Sequence, residues 1–197
     1  MKWPLHHRKG TKDEFREVFT ASTDSLRWLC TTLTGDEGLT DKIVDAAFEQ
    51  SLRGSDHVFR EWMLSWARRL VINACAHIMR AALAREVEAL YSMVPVRLRR
   101  IPETHQVLLD LSSEEVRERI GTLNALARFV VVLRAVEGYS RRDTALLLNI
   151  DDATCEWVYA REIAATESES HVVQMRVPNA AHDISFHLAQ EATKAVI

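Results

Sequence analysis

The side chains of this 197-residue chain that could perform catalysis or bind a metal are widely scattered. Only His182 and His187 approach the spacing of metal ligands, and no cysteine lies near them. The sequence contains no glycine-rich phosphate loop, and its spacing indicates no Ser/His/Asp arrangement. We therefore expect neither an enzyme nor a metal or cofactor site. The histidines and cysteines are His6, His7, His57, His77, His105, His171, His182, His187, Cys30, Cys75 and Cys155.

A run of arginines favours a different chemistry, the neutralisation of phosphate groups. Between Arg60 and Arg100 the chain has eight Arg against three Glu, a local charge of +5. Such a stretch can bind a nucleic-acid backbone, although arginines beside an apolar stripe are also common on ordinary solvated surfaces. Trp62 and Trp66 lie four residues apart, and they either form a stacking platform for bases or belong to a helical core. The arginines are Arg60, Arg68, Arg69, Arg80, Arg85, Arg97, Arg99 and Arg100.

Two other charge features argue against nucleic-acid binding. The whole chain has a net charge of −3, and residues 151–170 have six acids against one base, a local charge of −5. Phosphates repel an acidic segment, and each lost cation removes counterion release. From charge alone, we expect that Glu156→Lys strengthens nonspecific DNA binding.

Helical periodicity dominates the chain and predicts an all-α protein. A capping box at Thr11 and Glu14 opens an apolar stripe that continues to Leu33, followed by helices over residues 40–52 and 59–79. Only six Gly and four Pro occur, which indicates long regular elements. We expect the three cysteines to be buried thiols in a reducing compartment. No apolar run reaches the ~18 residues of a membrane span, so we expect a cytoplasmic protein that does not contact membranes.

The region from Ile120 to Thr166 has the pattern of a helix-turn-helix unit. An apolar helix begins near Ile120, and Gly138 can end it in the left-handed conformation. Ser140 can cap a short helix over residues 141–148, and Asp151 or Asp152 can cap the next. Two short helices across a tight turn, backed by a longer apolar helix, are typical of DNA-binding domains.

Short sequence motifs in the N-terminal and C-terminal parts of the chain add a family resemblance. The C-terminal segment VVVLRAVEGYSRRDTALLLNIDDAT and the earlier words LTGD, FREW and ARRL resemble extracytoplasmic-function (ECF) sigma factors, in the same order and separation. This resemblance implies two small helical domains. A sigma region 2-like domain would span residues 11–90 and a region 4-like helix-turn-helix domain residues 116–168, joined by a linker over 91–115. Nothing is recognised in the tail, residues 169–197.

Family roles carried over position by position give candidate site residues. The resemblance implies that Asp41, Asp45 and Phe48 bind the clamp of the RNA polymerase core. It also implies two sets of DNA-binding residues. Those for the −10 element are Arg60, Arg68, Arg69 and Asn73, and those for the −35 element are Thr154 and Arg161 with Arg141 and Arg142.

The expected function is therefore that of a sigma factor, which binds RNA polymerase core and directs initiation at specific promoters. The acidic recognition helix leaves an alternative open: a degenerate sigma-like protein that binds a protein partner without recognising promoter DNA. Trp157 is the candidate residue for such a contact, because exposed tryptophans favour interfaces. The alternative is that Trp157 packs against the C-terminal tail of the same chain. An anti-sigma protein is a further candidate partner.

Overall fold

In the computed structural model, residues 9–54, 58–93 and 114–167 are described, and their elements are helical. The helices are α1 (Lys12–Ala21), α2 (Thr23–Thr34), α3 (Glu37–Gly54), α4 (Met63–Ile78), α5 (Arg80–Met93), α6 (Glu114–Thr122), α7 (Ala125–Val131), α8 (Arg141–Leu148) and α9 (Asp152–Glu167). A 3-10 turn, Arg60–Trp62, precedes α4, and a π-helical turn, Val132–Val136, follows α7. The prediction of an all-α chain is confirmed. Most of the expected linker and the whole expected tail, residues 169–197, lie outside the described residues.

The described residues form two compact units, and the division between them falls within α4: residues 9–75 belong to the first and residues 76–167 to the second. The first unit is built from α1, α2, α3 and most of α4. The second contains α5 together with α6, α7, α8 and α9. Helix α5 was expected in a domain over residues 11–90, and it packs on α7 in the second unit.

The core of the first unit consists of the apolar stripes that the sequence predicts, including the fully buried Phe15, Leu29 and Leu33. The expectation of one continuous helix up to Leu33 is wrong, because the chain leaves the helix at Ser22. There the hydroxyl of Thr23 donates to the carbonyl oxygen of Phe19, so a side chain competes for a helical acceptor. Only Ser22 lies between α1 and α2, so the apolar face of α1 continues along α2.

The second unit is organised around the apolar α7, which contacts α5, α6 and α9. A helix that continues from Ile120 was expected, but α6 ends at Thr122 and Asn124 caps α7 by accepting from the Ala127 amide. The carboxylate of Glu86 on α5 also accepts from the Ala125 and Leu126 amides, at 3.1 and 2.6 Å. A carboxylate at a helix N-terminus satisfies free amides and favours the helix dipole.

The predicted signals between α7 and α9 are confirmed. Gly138 has a φ of 70°, and the hydroxyl of Ser140 accepts from the Asp143 amide to cap α8. Asn149 ends α8 in the left-handed region, with a φ of 54°. Asp151 then caps α9, so the chain turns between two helices within three residues.

Candidate functional site

The candidate polymerase-binding residues lie along α3 in the first unit. Asp45 is exposed, and Asp41 is an exposed acid in an ion pair with Arg27 of α2, at 2.5 Å. Phe48 is half-buried, and its ring packs against Phe19 with 4.8 Å between centroids. The α3 surface therefore offers carboxylates beside an aromatic ring that is anchored in the core.

The candidate −10 residues lie on the 3-10 turn and α4. Arg60 is exposed and lies 3.6 Å from the carboxylate of Glu14. Arg68 and Arg69 are half-buried on successive positions of α4, and Arg68 donates a 2.7 Å hydrogen bond to the hydroxyl of Ser25. Asn73 is half-buried one helical turn later. The two half-buried arginines are positioned by the fold while part of each stays accessible.

The tryptophans near these arginines differ in their surroundings. Trp66 is only 6 % exposed and packs edge-on against Phe15, so it belongs to the core. Trp62 is half-buried and packs edge-on against Phe59, at 5.1 Å between centroids. Of this pair, only Trp62 keeps a partly accessible ring on which a base could stack.

The acidity of α9 is largely compensated inside the second unit. Glu156 is 3 % exposed, and its carboxylate accepts from Arg134 of the π-helical turn at 2.6 Å. The same guanidinium lies over the ring of Tyr159, with its carbon 3.9 Å from the centroid. Glu156 therefore neutralises a buried cation and does not present its charge to solvent.

The two aspartates at the start of α9 also have partners. The Asp151 carboxylate accepts from the Thr154 amide at 2.7 Å, the Thr154 hydroxyl at 2.8 Å and the Tyr91 hydroxyl at 2.7 Å. Asp152 lies 3.4 Å from the Nε of Arg141. The net count of −5 therefore overstates the negative charge that the described part of α9 presents.

The exposed surface of α9 carries one of the predicted −35 residues and the predicted partner residue. Arg161 is exposed, and its guanidinium carbon lies 4.7 Å from the centroid of the half-buried Trp157 ring. Arg161 also forms an ion pair with Glu162. Thr154, by contrast, is fully buried with its hydroxyl on Asp151, so it is not available to a base edge.

The two remaining candidates lie in the first turn of α8. Arg142 is exposed, whereas Arg141 is half-buried beside Asp152. The cations of this unit that reach solvent near the turn are thus Arg142 and part of Arg141, together with Arg161 on α9.

Comparisons with known proteins bear on this arrangement. Two curated relatives, both described as ECF RNA polymerase sigma factor SigM from Mycobacterium tuberculosis (strains Erdman and H37Rv), are each 28 % identical to this chain over 156 residues. Each match covers 79 % of this chain and 76 % of the relative. The chain is therefore similar to these ECF sigma factors over most of its length. No protein-family model matches the chain, and no solved structure matches it.

The chain has no group of three metal-ligating side chains within residues 9–54, 58–93 and 114–167. In the same part of the chain, no helix combines the length and apolarity that a bilayer crossing requires. His182 and His187 lie outside the described residues.

Sequence reasoning missed two contacts of this chain. Arg134 was considered only as part of the motif that resembles the family, although this residue is the buried partner of Glu156. Cys30 and Cys75 were treated as separate buried thiols, but their sulfur atoms lie 3.6 Å apart. Both contacts join residues on different helices, so no local spacing could indicate them.

Proposed function

We propose that this chain is a sigma factor that binds the RNA polymerase core and directs transcription initiation at specific promoters. The supporting observation is the match to ECF sigma factor SigM, which extends over 79 % of the chain. The helix-turn-helix geometry of α8 and α9 adds support, since this motif commonly presents its second helix to the major groove.

The first unit would act as the region 2-like domain. Asp41, Asp45 and Phe48 on α3 would contact the polymerase clamp. Arg68 and Arg69 on α4 would contact the −10 element, with Arg60 and Asn73 at either end of this surface. The half-buried arginines suit this role because a side chain held by the fold loses less conformational entropy on binding.

The second unit would act as the region 4-like domain, with α9 as its recognition helix. Near the turn between α8 and α9, the exposed cations are Arg142 and Arg161, with the half-buried Arg141 beside them. Because Glu156 is buried against Arg134, the charge repulsion expected from the sequence is weaker than the sum of charges suggests. Contact with the −35 element would therefore be weak, but the repulsion would be smaller than a local charge of −5 over residues 151–170 suggests.

The alternative function is that of a sigma-like protein that binds a protein partner, such as an anti-sigma protein, without recognising promoters. The observation that favours it is the partly exposed Trp157, stacked by Arg161 on a helix with few cations. Trp and Arg are the residue types that most often dominate protein interfaces.

Reconstituted transcription distinguishes the two functions. The full chain is mixed with core RNA polymerase and a pool of genomic promoter fragments, and core binding and transcript production are measured separately. We expect both, and we expect Arg68→Ala with Arg69→Ala to lower transcript yield by about 10-fold or more while core binding is retained. Arg16→Ala is the matched control, since Arg16 is an exposed arginine of α1 that pairs with Asp13.

The possible results separate cleanly. Core binding without promoter-dependent transcripts would favour the partner-binding alternative. Failure to bind core enzyme would contradict the sigma-factor function. Asp45→Ala tests the polymerase contact, with Asp24→Ala as an exposed acidic control on α2.

A further inference from the structure

Helices α2 and α4 of the first unit bring two cysteine side chains into contact. The Sγ atoms of Cys30 and Cys75 lie 3.6 Å apart, and the Cys75 thiol donates to the Cys30 sulfur. Both residues are fully buried. A disulfide requires about 2.05 Å between the sulfur atoms, so the pair needs a movement of roughly 1.5 Å.

The surroundings of this pair make the two sulfurs unequal. The hydrogen bond from Cys75 lowers the pKa of the Cys30 thiol below its ordinary value. The same hydrogen bond, together with burial, raises the pKa of the Cys75 thiol. The hydroxyl of Thr40 also hydrogen-bonds Cys30 and itself lies 2.8 Å from the hydroxyl of Thr31. The first proton therefore leaves more readily from Cys30, and the thiolate is the reactive form of cysteine.

We propose that Cys30 and Cys75 are an oxidation site, at which a small peroxide converts the two thiols into an intramolecular disulfide that joins α2 to α4. In the first step, the Cys30 thiolate attacks one peroxide oxygen. The O–O bond breaks, and Cys30 becomes a sulfenic acid while the leaving hydroxide takes a proton to form water. Next, the sulfur of Cys75 attacks the sulfenic sulfur and displaces hydroxide, which takes the Cys75 proton. Two thiols and one hydrogen peroxide thus give one disulfide and two waters.

The cross-link would act on the same pair of helices that Arg68 and Ser25 already join by a hydrogen bond. The bond closes a long loop, because Cys30 and Cys75 are 45 residues apart. Cross-links over long loops restrict the unfolded chain most, so the oxidised protein is expected to unfold at a higher temperature.

The third cysteine provides an internal control. Cys155 is also fully buried, but it lies on α9 and burial raises its pKa to about 12. It shares the burial of the pair but belongs to the second unit, whereas Cys30 and Cys75 belong to the first. A reagent that simply oxidises any buried thiol would modify Cys155 as well.

The test uses the full-length wild-type protein, reduced and then freed of reductant. It is exposed to hydrogen peroxide, denatured, and alkylated with N-ethylmaleimide before intact-mass and peptide analysis. Of the three cysteines, only Cys155 should keep a free thiol and be alkylated, and a peptide pair linked through Cys30 and Cys75 should appear. The melting temperature should rise by about 5 °C or more, and dithiothreitol should reverse the rise.

Three results would overturn the proposal. These are three alkylated thiols after oxidation, a disulfide that includes Cys155, and disulfide-linked dimers in place of the internal cross-link. Cys155→Ser should leave the cross-link intact, whereas Cys30→Ser and Cys75→Ser should each abolish the peroxide-induced rise in melting temperature. The wild-type peptide analysis decides the question even if a serine variant folds poorly.

Discussion

The Arg134 guanidinium and the Glu156 carboxylate meet at 2.6 Å inside the second unit, with side-chain exposures of 6 % and 3 %. The pair connects the π-helical turn after α7 to the helix proposed to recognise DNA. Removing two charges from water is costly, and the cost is offset only while both partners are present. Glu156 is therefore the buried counter-charge of Arg134, and its carboxylate faces the interior of the unit.

Loss of either partner is expected to destabilise the chain strongly. Glu156→Ala would leave the Arg134 cation buried without its carboxylate, which typically costs about 3–5 kcal/mol in the free energy of unfolding. Urea denaturation followed by circular dichroism measures this cost. Asp41→Ala is the control, because the Asp41–Arg27 pair is more than half exposed and its loss should cost less than about 1 kcal/mol. Equal costs for the two variants would contradict the assigned role.

The same pair overturns the expectation for Glu156→Lys. From charge alone, this substitution should strengthen DNA binding. In the structure it would place a second buried cation beside Arg134, so its first effect is expected on folding. A DNA affinity measured on such a variant would report the loss of the folded unit.

Charge reversal at Asp152 is the suitable test of whether the start of α9 faces DNA. Asp152 is exposed and lies 3.4 Å from Arg141, so Asp152→Lys removes one anion, adds a cation and removes the ion pair with Arg141. If α9 approaches DNA, nonspecific affinity should rise about 10-fold at low salt, and the slope of log affinity against log salt should steepen by about 1–2. Fluorescence anisotropy at several salt concentrations measures both.

The control is Asp24→Lys, at the equivalent first turn of α2, which should have a smaller effect. Equal effects of the two variants would mean that the start of α9 does not approach DNA more closely than the start of α2.

The neighbouring residues Asp151 and Asp152 are expected to differ in how much each contributes to the free energy of unfolding. Asp151 accepts three hydrogen bonds, including both the amide and the hydroxyl of Thr154, whereas within the described residues Asp152 forms an ion pair with Arg141. Asp151→Ala is expected to lower the free energy of unfolding by about 1–2 kcal/mol, as for other helix caps. Asp152→Ala should cost less than about 1 kcal/mol. Thermal or urea unfolding decides, and a larger loss for Asp152→Ala would contradict the cap assignment.

Local signals in the sequence were sufficient for the turn between α8 and α9. Ser140, Asn149 and Asp151 each act within about three residues of their own position, through capping bonds or a left-handed backbone, so their types predict their conformations. Breaks that do not disturb the apolar stripe were missed. At Ser22 and Asn124 the helix ends and restarts while the same face stays buried, and periodicity cannot detect such an interruption.

Contacts between distant residues could not be predicted from spacing. Arg134 and Glu156 are 22 residues apart, so a sum of charges along the chain counted Glu156 as a surface acid. Thr154 matched a family position, yet the capping of α9 buries it. Composition predicts how many charges a helix contains, whereas tertiary packing decides which of them reach solvent.

The exposed surface of α9 gives the last prediction, which follows from the proposed function. The Arg161 guanidinium lies over the Trp157 ring, 4.7 Å from its centroid, and this stacking positions the cation. If α9 contacts promoter DNA, Arg161→Ala should lower promoter affinity by about 5- to 150-fold in the presence of core polymerase, or reduce the salt slope by about 1 if the contact is to phosphate. Trp157→Ala should lower affinity in the same direction but by less, because the arginine remains and only its positioning is lost. Titration of labelled promoter fragments measures these effects, with Arg85→Ala on α5 as an exposed arginine control. If Trp157→Ala instead weakens binding to a protein partner and leaves promoter affinity unchanged, the surface of α9 serves a protein interface.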